Sequence, residues 1–116
     1  MSDPRKQFEE QSLAFNTQQQ NLNEYISVRS KLETQFQENK IVLTEFENLN
    51  DESKIYKLTG PILIPQEYGE AKLNVTKRIE FIQEEIKRIE TKISDEEKAM
   101  EATRDKLLAL RSNIEQ

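Results

Sequence analysis

Apolar side chains recur through the C-terminal half of this chain at alternating steps of four and three residues. They run from Val75 through Ile79, Ile82, Ile86, Ile89, Ile93, Met100, Leu107 and Leu110 to Ile114. A repeat of seven puts two rows of apolar groups on one face of a helix, and that face needs a second helix to cover it. The first row is Ile79, Ile86, Ile93, Met100, Leu107 and Ile114, and the second is Val75, Ile82, Ile89, Glu96, Thr103 and Leu110. Ten of these 12 positions are apolar, whereas the chain's apolar fraction of 34% would place about four there by chance.

The covering helix is in the same chain. Phe8, Phe15, Leu22, Phe36 and Leu43 keep seven-residue spacing, with Arg29 taking one turn; the second row is Gln11, Gln18, Tyr25, Leu32, Asn39 and Phe46. Asp3 ahead of Pro4 is a start signal, because the carboxylate can cap free amides and proline suits the first helical position. The expected organisation is one domain over residues 1–116, with helices at 4–50 and 68–115, each roughly 65–70 Å long at about 1.5 Å per residue.

Composition agrees with that architecture and removes other classes. Only 34% of residues are apolar and 34% are charged, with 2 Gly and 3 Pro; an ordinary globular domain is roughly 45–50% apolar and about 25% charged, so a large core is excluded. With no Cys and no His there is no disulfide framework, thiol nucleophile, zinc finger or Ser-His-Asp relay. Carboxylates on a solvated helix have no pocket to perturb them, so neither an enzyme nor a cofactor or metal is expected. There is no run of 18 apolar residues and no apolar leader after Met1-Ser2-Asp3-Pro4-Arg5, so a soluble chain outside the membrane is expected. The net charge of −5 is spread along the chain without a basic segment, so nucleic acid is not an expected partner.

Between the helices the sequence changes character, to Ile55-Tyr56-Lys57-Leu58-Thr59-Gly60-Pro61-Ile62-Leu63-Ile64-Pro65. Short runs of β-branched and aromatic residues around Gly-Pro read as two small strands joined by a tight turn, a β-hairpin over 54–65, with Pro65 to Gly69 leading out to the second helix. The fold class is therefore mostly α: an antiparallel two-helix coiled coil with a β-hairpin at its connecting end. A lone two-stranded hairpin is marginal in water and exposes its edges. It either caps its own coiled coil or joins strands from other chains, and Ile55, Tyr56, Leu58, Gly60, Pro61, Ile62, Leu63 and Ile64 are the candidate assembly residues. Off-row Ile41, Val42, Leu49, Leu73 and Phe81 are expected to pack beneath this sheet.

At the opposite end the rows turn polar. Gln11, Gln18, Glu96 and Thr103 all fall in the half remote from the hairpin. If residue numbers across a layer sum to about 119, Phe8 faces Arg111 and the distal layers are weak. Phe8, Leu13, Phe15, Leu107, Leu108, Leu110 and Ile114 form a candidate apolar tip that frays outward. The bland alternative is a sealed seam with two ordinary exposed leucines.

Tyr56-Lys57-Leu58-Thr59-Gly60-Pro61, Gly69-Glu70-Ala71, Lys77-Arg78-Ile79-Glu80-Phe81-Ile82 and Glu38-Asn39-Lys40-Ile41-Val42 resemble the β-class subunits of prefoldin over roughly residues 20–100. The resemblance implies a cytoplasmic, ATP-independent holdase: a hetero-hexamer of α- and β-class subunits whose hairpins form a β-barrel body. Its coiled-coil tips would hold unfolded actin and tubulin and pass them to the cytosolic chaperonin. A coiled-coil tether that binds no unfolded chains is the competing expectation.

Overall fold

The computed structural model of the chain is described over residues 3–48 and 65–115. Two helices account for all of these residues but Asp3: α1, Pro4–Asn48, and α2, Pro65–Glu115. Of the hairpin expected at 54–65, Pro65 is helical and begins α2, while residues 54–64, with all eight candidate assembly residues, and residues 49–53 lie outside the described residues; among the described residues there is no strand.

The start of α1 follows the local chemistry. The Arg5 amide donates to Asp3 Oδ1 at 3.1 Å and the Gln7 amide to the Asp3 carbonyl at 3.0 Å, so Asp3 caps the helix and Pro4 holds the first turn. At the other helix, the expected lead-out at Pro65 to Gly69 is already helical, and α2 begins three residues before position 68. Proline at the first helical position loses no hydrogen bond, and Glu67 in the first turn complements the positive end of the helix.

All 24 positions of the four predicted rows are buried or half-buried. The helical repeat thus sets which residues face inward, because in a two-helix pair only the two rows have a neighbour to pack against. The contacts divide the chain into two units, one of residues 30–87 and the other, the terminal unit, of residues 1–29 and 88–116.

In the unit of residues 30–87, Tyr68, Ile79 and Ile82 are buried. The Tyr68 ring meets Phe46 edge-on at 5.3 Å between centroids and 61° between planes, joining α1 to α2. Tyr68 stands seven residues before Val75 and extends the second row by one turn, with its hydroxyl buried and unpaired. Asn39 sits half-buried in the row and satisfies its amide within α1, donating from Nδ2 to the Gln35 carbonyl at 2.7 Å. Ile41, Val42, Leu73 and Phe81 are exposed, so the cover expected for them is not supplied by the described residues.

In the terminal unit, Ile89, Ile93 and Thr103 are buried. Its helices are antiparallel: Phe8 lies with Arg111 and Ile114, Phe15 and Leu22 with Met100, and Lys92 Nζ stands 5.8 Å from the Tyr25 ring centroid. The register that pairs Phe8 with Arg111 is the one expected.

Candidate functional site

The seven candidate tip residues all belong to the terminal unit, and they divide by position in the repeat. Row members Phe8, Phe15, Leu107, Leu110 and Ile114 are half-buried against the facing helix. Leu13 and Leu108, off the rows, are 68% and 53% exposed. The helices continue to Pro4 and Glu115, so the structure shows the closed, zipped form of the tip and not the outward-turned phenylalanines that fraying would give.

Packing nevertheless weakens toward these ends. Beyond Ile93 no apolar residue of α2 is fully buried, and Thr103, the buried residue there, donates its hydroxyl to the Ala99 carbonyl at 2.9 Å within its own helix. A hydroxyl satisfied this way adds nothing across the interface. Gln18 keeps its Oε1 buried and without a hydrogen-bond partner. An unpaired buried acceptor costs about 1–3 kcal/mol, so this part of the seam is held less firmly than an all-apolar one.

Between the helices the structure leaves open grooves. One of about 360 Å³ runs between Phe8 and Ile114, edged by Arg5, Glu9, Arg111 and Glu115. A second, of about 370 Å³, has Phe15, Leu22 and Met100 as its floor and Glu97, Glu101 and Arg104 along its edge. A third, of about 440 Å³, is lined by Gln7, Glu10, Gln11, Lys106, Ala109 and Leu110. The Arg111 guanidinium donates to Glu115 Oε1 at 3.0 Å across two exposed side chains, a pair that contributes little to stability but fixes the charged edge of the first groove. Among the described residues there is no group of acidic side chains arranged to hold a metal ion, and no helix long and apolar enough to cross a membrane. The terminal unit thus presents accessible apolar surface between charged edges.

Comparison with known proteins bears on what such a surface serves. The profile of the prefoldin subunit family matches residues 9–113. The chain belongs to the prefoldin subunit family. Prefoldin subunit 6 of Saccharomyces cerevisiae is 50% identical over 92 residues, covering 79% of this chain and 81% of the yeast protein. Probable prefoldin subunit 6 of Caenorhabditis briggsae is 40% identical over 108 residues, 93% of this chain and 84% of the relative. Prefoldin subunit 6 of Homo sapiens is 40% identical over 97 residues, 84% and 75% of the two chains. No solved structure gives a significant match. As a prefoldin the chain is a chaperone subunit by family, not an enzyme, and one that assembles with other prefoldin subunits.

One structural feature escapes a reading of the sequence by periodicity. Tyr68 falls in a stretch where Pro65 and Gly69 suggest a loop, although counting back seven from Val75 reaches it.

Proposed function

We propose that this chain is a β-class subunit of a hetero-hexameric prefoldin, an ATP-independent holdase of the cytoplasm. It captures non-native proteins, actin and tubulin among them, at the free ends of its helix pair and passes them to the cytosolic chaperonin. Family membership supports the assembly and the class of activity. The observation that carries the capture site is the terminal unit itself, where Leu13 and Leu108 are exposed and Phe8, Phe15, Leu107, Leu110 and Ile114 are only half-buried. Several such tips acting on one client raise the effective concentration, so capture is firm while each contact releases readily.

In this reading residues 54–65 form the hairpin that joins an intersubunit β-barrel, with Ile55, Tyr56, Leu58, Gly60, Pro61, Ile62, Leu63 and Ile64 as the joining surface and the helices on either side as the arm. The resemblance of Tyr56-Lys57-Leu58-Thr59-Gly60-Pro61 to β-class hairpins supports it.

The test is suppression of aggregation of denatured actin by the hexamer reconstituted with this chain, without nucleotide. Suppression that weakens when Leu13 and Leu108 are both replaced by Ser, with the hexamer intact, is the expected result. A hexamer that leaves the client to aggregate would make the chain a tether. Deleting residues 55–64 is expected to abolish assembly, and an intact hexamer after that deletion would refute the hairpin's role.

A further inference from the structure

In the unit of residues 30–87, Ile41 and Val42 of α1 and Leu73 and Phe81 of α2 are exposed. Leu73, Lys77 and Phe81 follow at four-residue steps and form one ridge of α2. Counted from the rows, Lys77 stands on the back of α2 and Ile41 on the back of α1, and the backs of paired helices point away from each other. This unit therefore has two unlike outer edges. The α2 edge sets Phe81, 60% exposed, one turn from Lys77 and Arg78. The α1 edge sets Ile41, also 60% exposed, one turn from Glu38 and Glu45, and a groove of about 580 Å³ runs beside it along Thr34, Phe36 and Glu38. Lys40, the adjoining cation on α1, stands over the Phe36 ring with Nζ 5.9 Å from its centroid.

The contact of Tyr68 with Phe46 puts the two edges on a common scale. At about 1.5 Å of rise per residue, Leu73 and Ile41 each lie about 7.5 Å along their helices from it. Lys77 and Glu38 lie about 13 Å and 12 Å along, and Phe81, at about 20 Å, is level with Thr34 in the groove. Apolar groups of one edge thus stand level with apolar surface of the other, and basic groups with acidic ones.

We infer that the α2 edge is a contact between subunits. Its occupant is the outer face of the first helix of a neighbouring prefoldin subunit, apolar with acidic flanks as the α1 edge is here; this rests on the hetero-hexameric assembly proposed above. Unlike edges at one level join head to tail, the arrangement that closes rings. Joined so, Phe81 enters the groove on the neighbour's first helix, and Lys77 and Arg78 meet carboxylates. The chain's own residues 49–64 are a poor cover for Phe81. These 16 residues are tied at both ends, so each half reaches at most about 27 Å, whereas Phe81 stands about 24 Å from the start of α2. Covering it would stretch that segment almost fully back along one helix.

The test uses the reconstituted hexamer. A photo-crosslinking phenylalanine derivative at Phe81 is expected to capture the first helix of another subunit. The same derivative at Ser94, exposed three repeats after Leu73, is expected to capture no subunit. Phe81→Glu is expected to weaken subunit association on dilution by about ten-fold, the equivalent of burying part of a phenylalanine. The crosslink reads the contact independently of how that variant folds. Association unchanged by Phe81→Glu overturns the inference. So does a crosslink from Phe81 to residues 49–64 of the same chain, to a bound unfolded chain, or to any part of a subunit other than its first helix. Each of these results leaves hexamer assembly standing, whereas failure of the unsubstituted chain to assemble with other prefoldin subunits removes the assembly reading itself.

Discussion

Replacing Gln18 with leucine should tighten the distal seam without touching the exposed leucines Leu13 and Leu108. Gln18 is half-buried in the second row, and its Oε1 is enclosed without a partner. Removing that acceptor recovers about 1 kcal/mol, the low end of the cost of an unpaired buried group. Leucine in a half-buried site adds about 1 kcal/mol of apolar burial, half or less of the value for a fully buried side chain. The sum, about 2 kcal/mol, corresponds to about 30-fold in the local opening equilibrium, because about 1.4 kcal/mol is ten-fold. Hydrogen exchange on the assembled hexamer reads this directly: amides around Gln18 and from Ala99 to Leu107 should gain about 30-fold protection if they exchange by local opening of the tip. Unchanged protection would refute the premise that the buried oxygen goes unsatisfied. The same variant separates two routes to capture. A tip that must splay to bind should lose affinity by a comparable factor, whereas apolar surface already open on the closed pair should bind as before.

Gly69 sits in the second turn of α2 with nothing within 4 Å of an added Cβ, so Gly69→Ala should stabilise that end of the helix by about 1 kcal/mol, seen as greater amide protection there. Tyr68→Phe should leave stability unchanged or raise it by up to about 1 kcal/mol, because the hydroxyl it removes has no partner; a loss above about 1 kcal/mol in hexamer denaturation would show that the oxygen is bonded. Ile82→Ala, at a residue 4% exposed, should cost about 2–5 kcal/mol, and Ile114→Ala, half-buried near the chain end, about 1 kcal/mol. Equal losses at the two isoleucines would contradict a seam that weakens toward the tip.

The inward face of both helices is legible in the sequence because burial in a two-helix pair follows the repeat alone: even polar Gln11, Arg29, Asn39 and Glu96 are half-buried for occupying row positions. The start at Asp3 and Pro4 is legible for an equally local reason, a side chain satisfying its own helix's amides. The start of α2 is not. Pro65 and Gly69 are read as loop residues by composition, yet proline fits the first turn and the apolar contact of Tyr68 with Phe46 outweighs the cost of about 1 kcal/mol for a glycine in a helix. Of the candidate tip, periodicity accounts for the half-burial of the row members and the exposure of off-row Leu13 and Leu108, whereas the grooves between the helices depend on the register and hand of their packing.

Half-burial reconciles two demands on the terminal unit. An apolar row wide open to solvent would be covered by whatever came first, including another copy, while a row fully sealed would have nothing to offer a client. Second-row Gln18 and Thr103 each leave their layer without a bond across the interface. First-row phenylalanines, leucine, methionine and isoleucine are then held half-buried, with one flank against the partner helix and the other in a groove edged by both charge signs. Each such residue keeps part of its transfer free energy for a ligand, a fraction of the roughly 1.5–3 kcal/mol of full burial. Single contacts of that size release quickly, and only a flexible chain long enough to reach several tips accumulates enough of them to stay bound. A folded protein, with its apolar residues inside, cannot do so. In the proposed reading, selectivity for non-native chains would follow from this incomplete burial and need no recognition of any particular sequence.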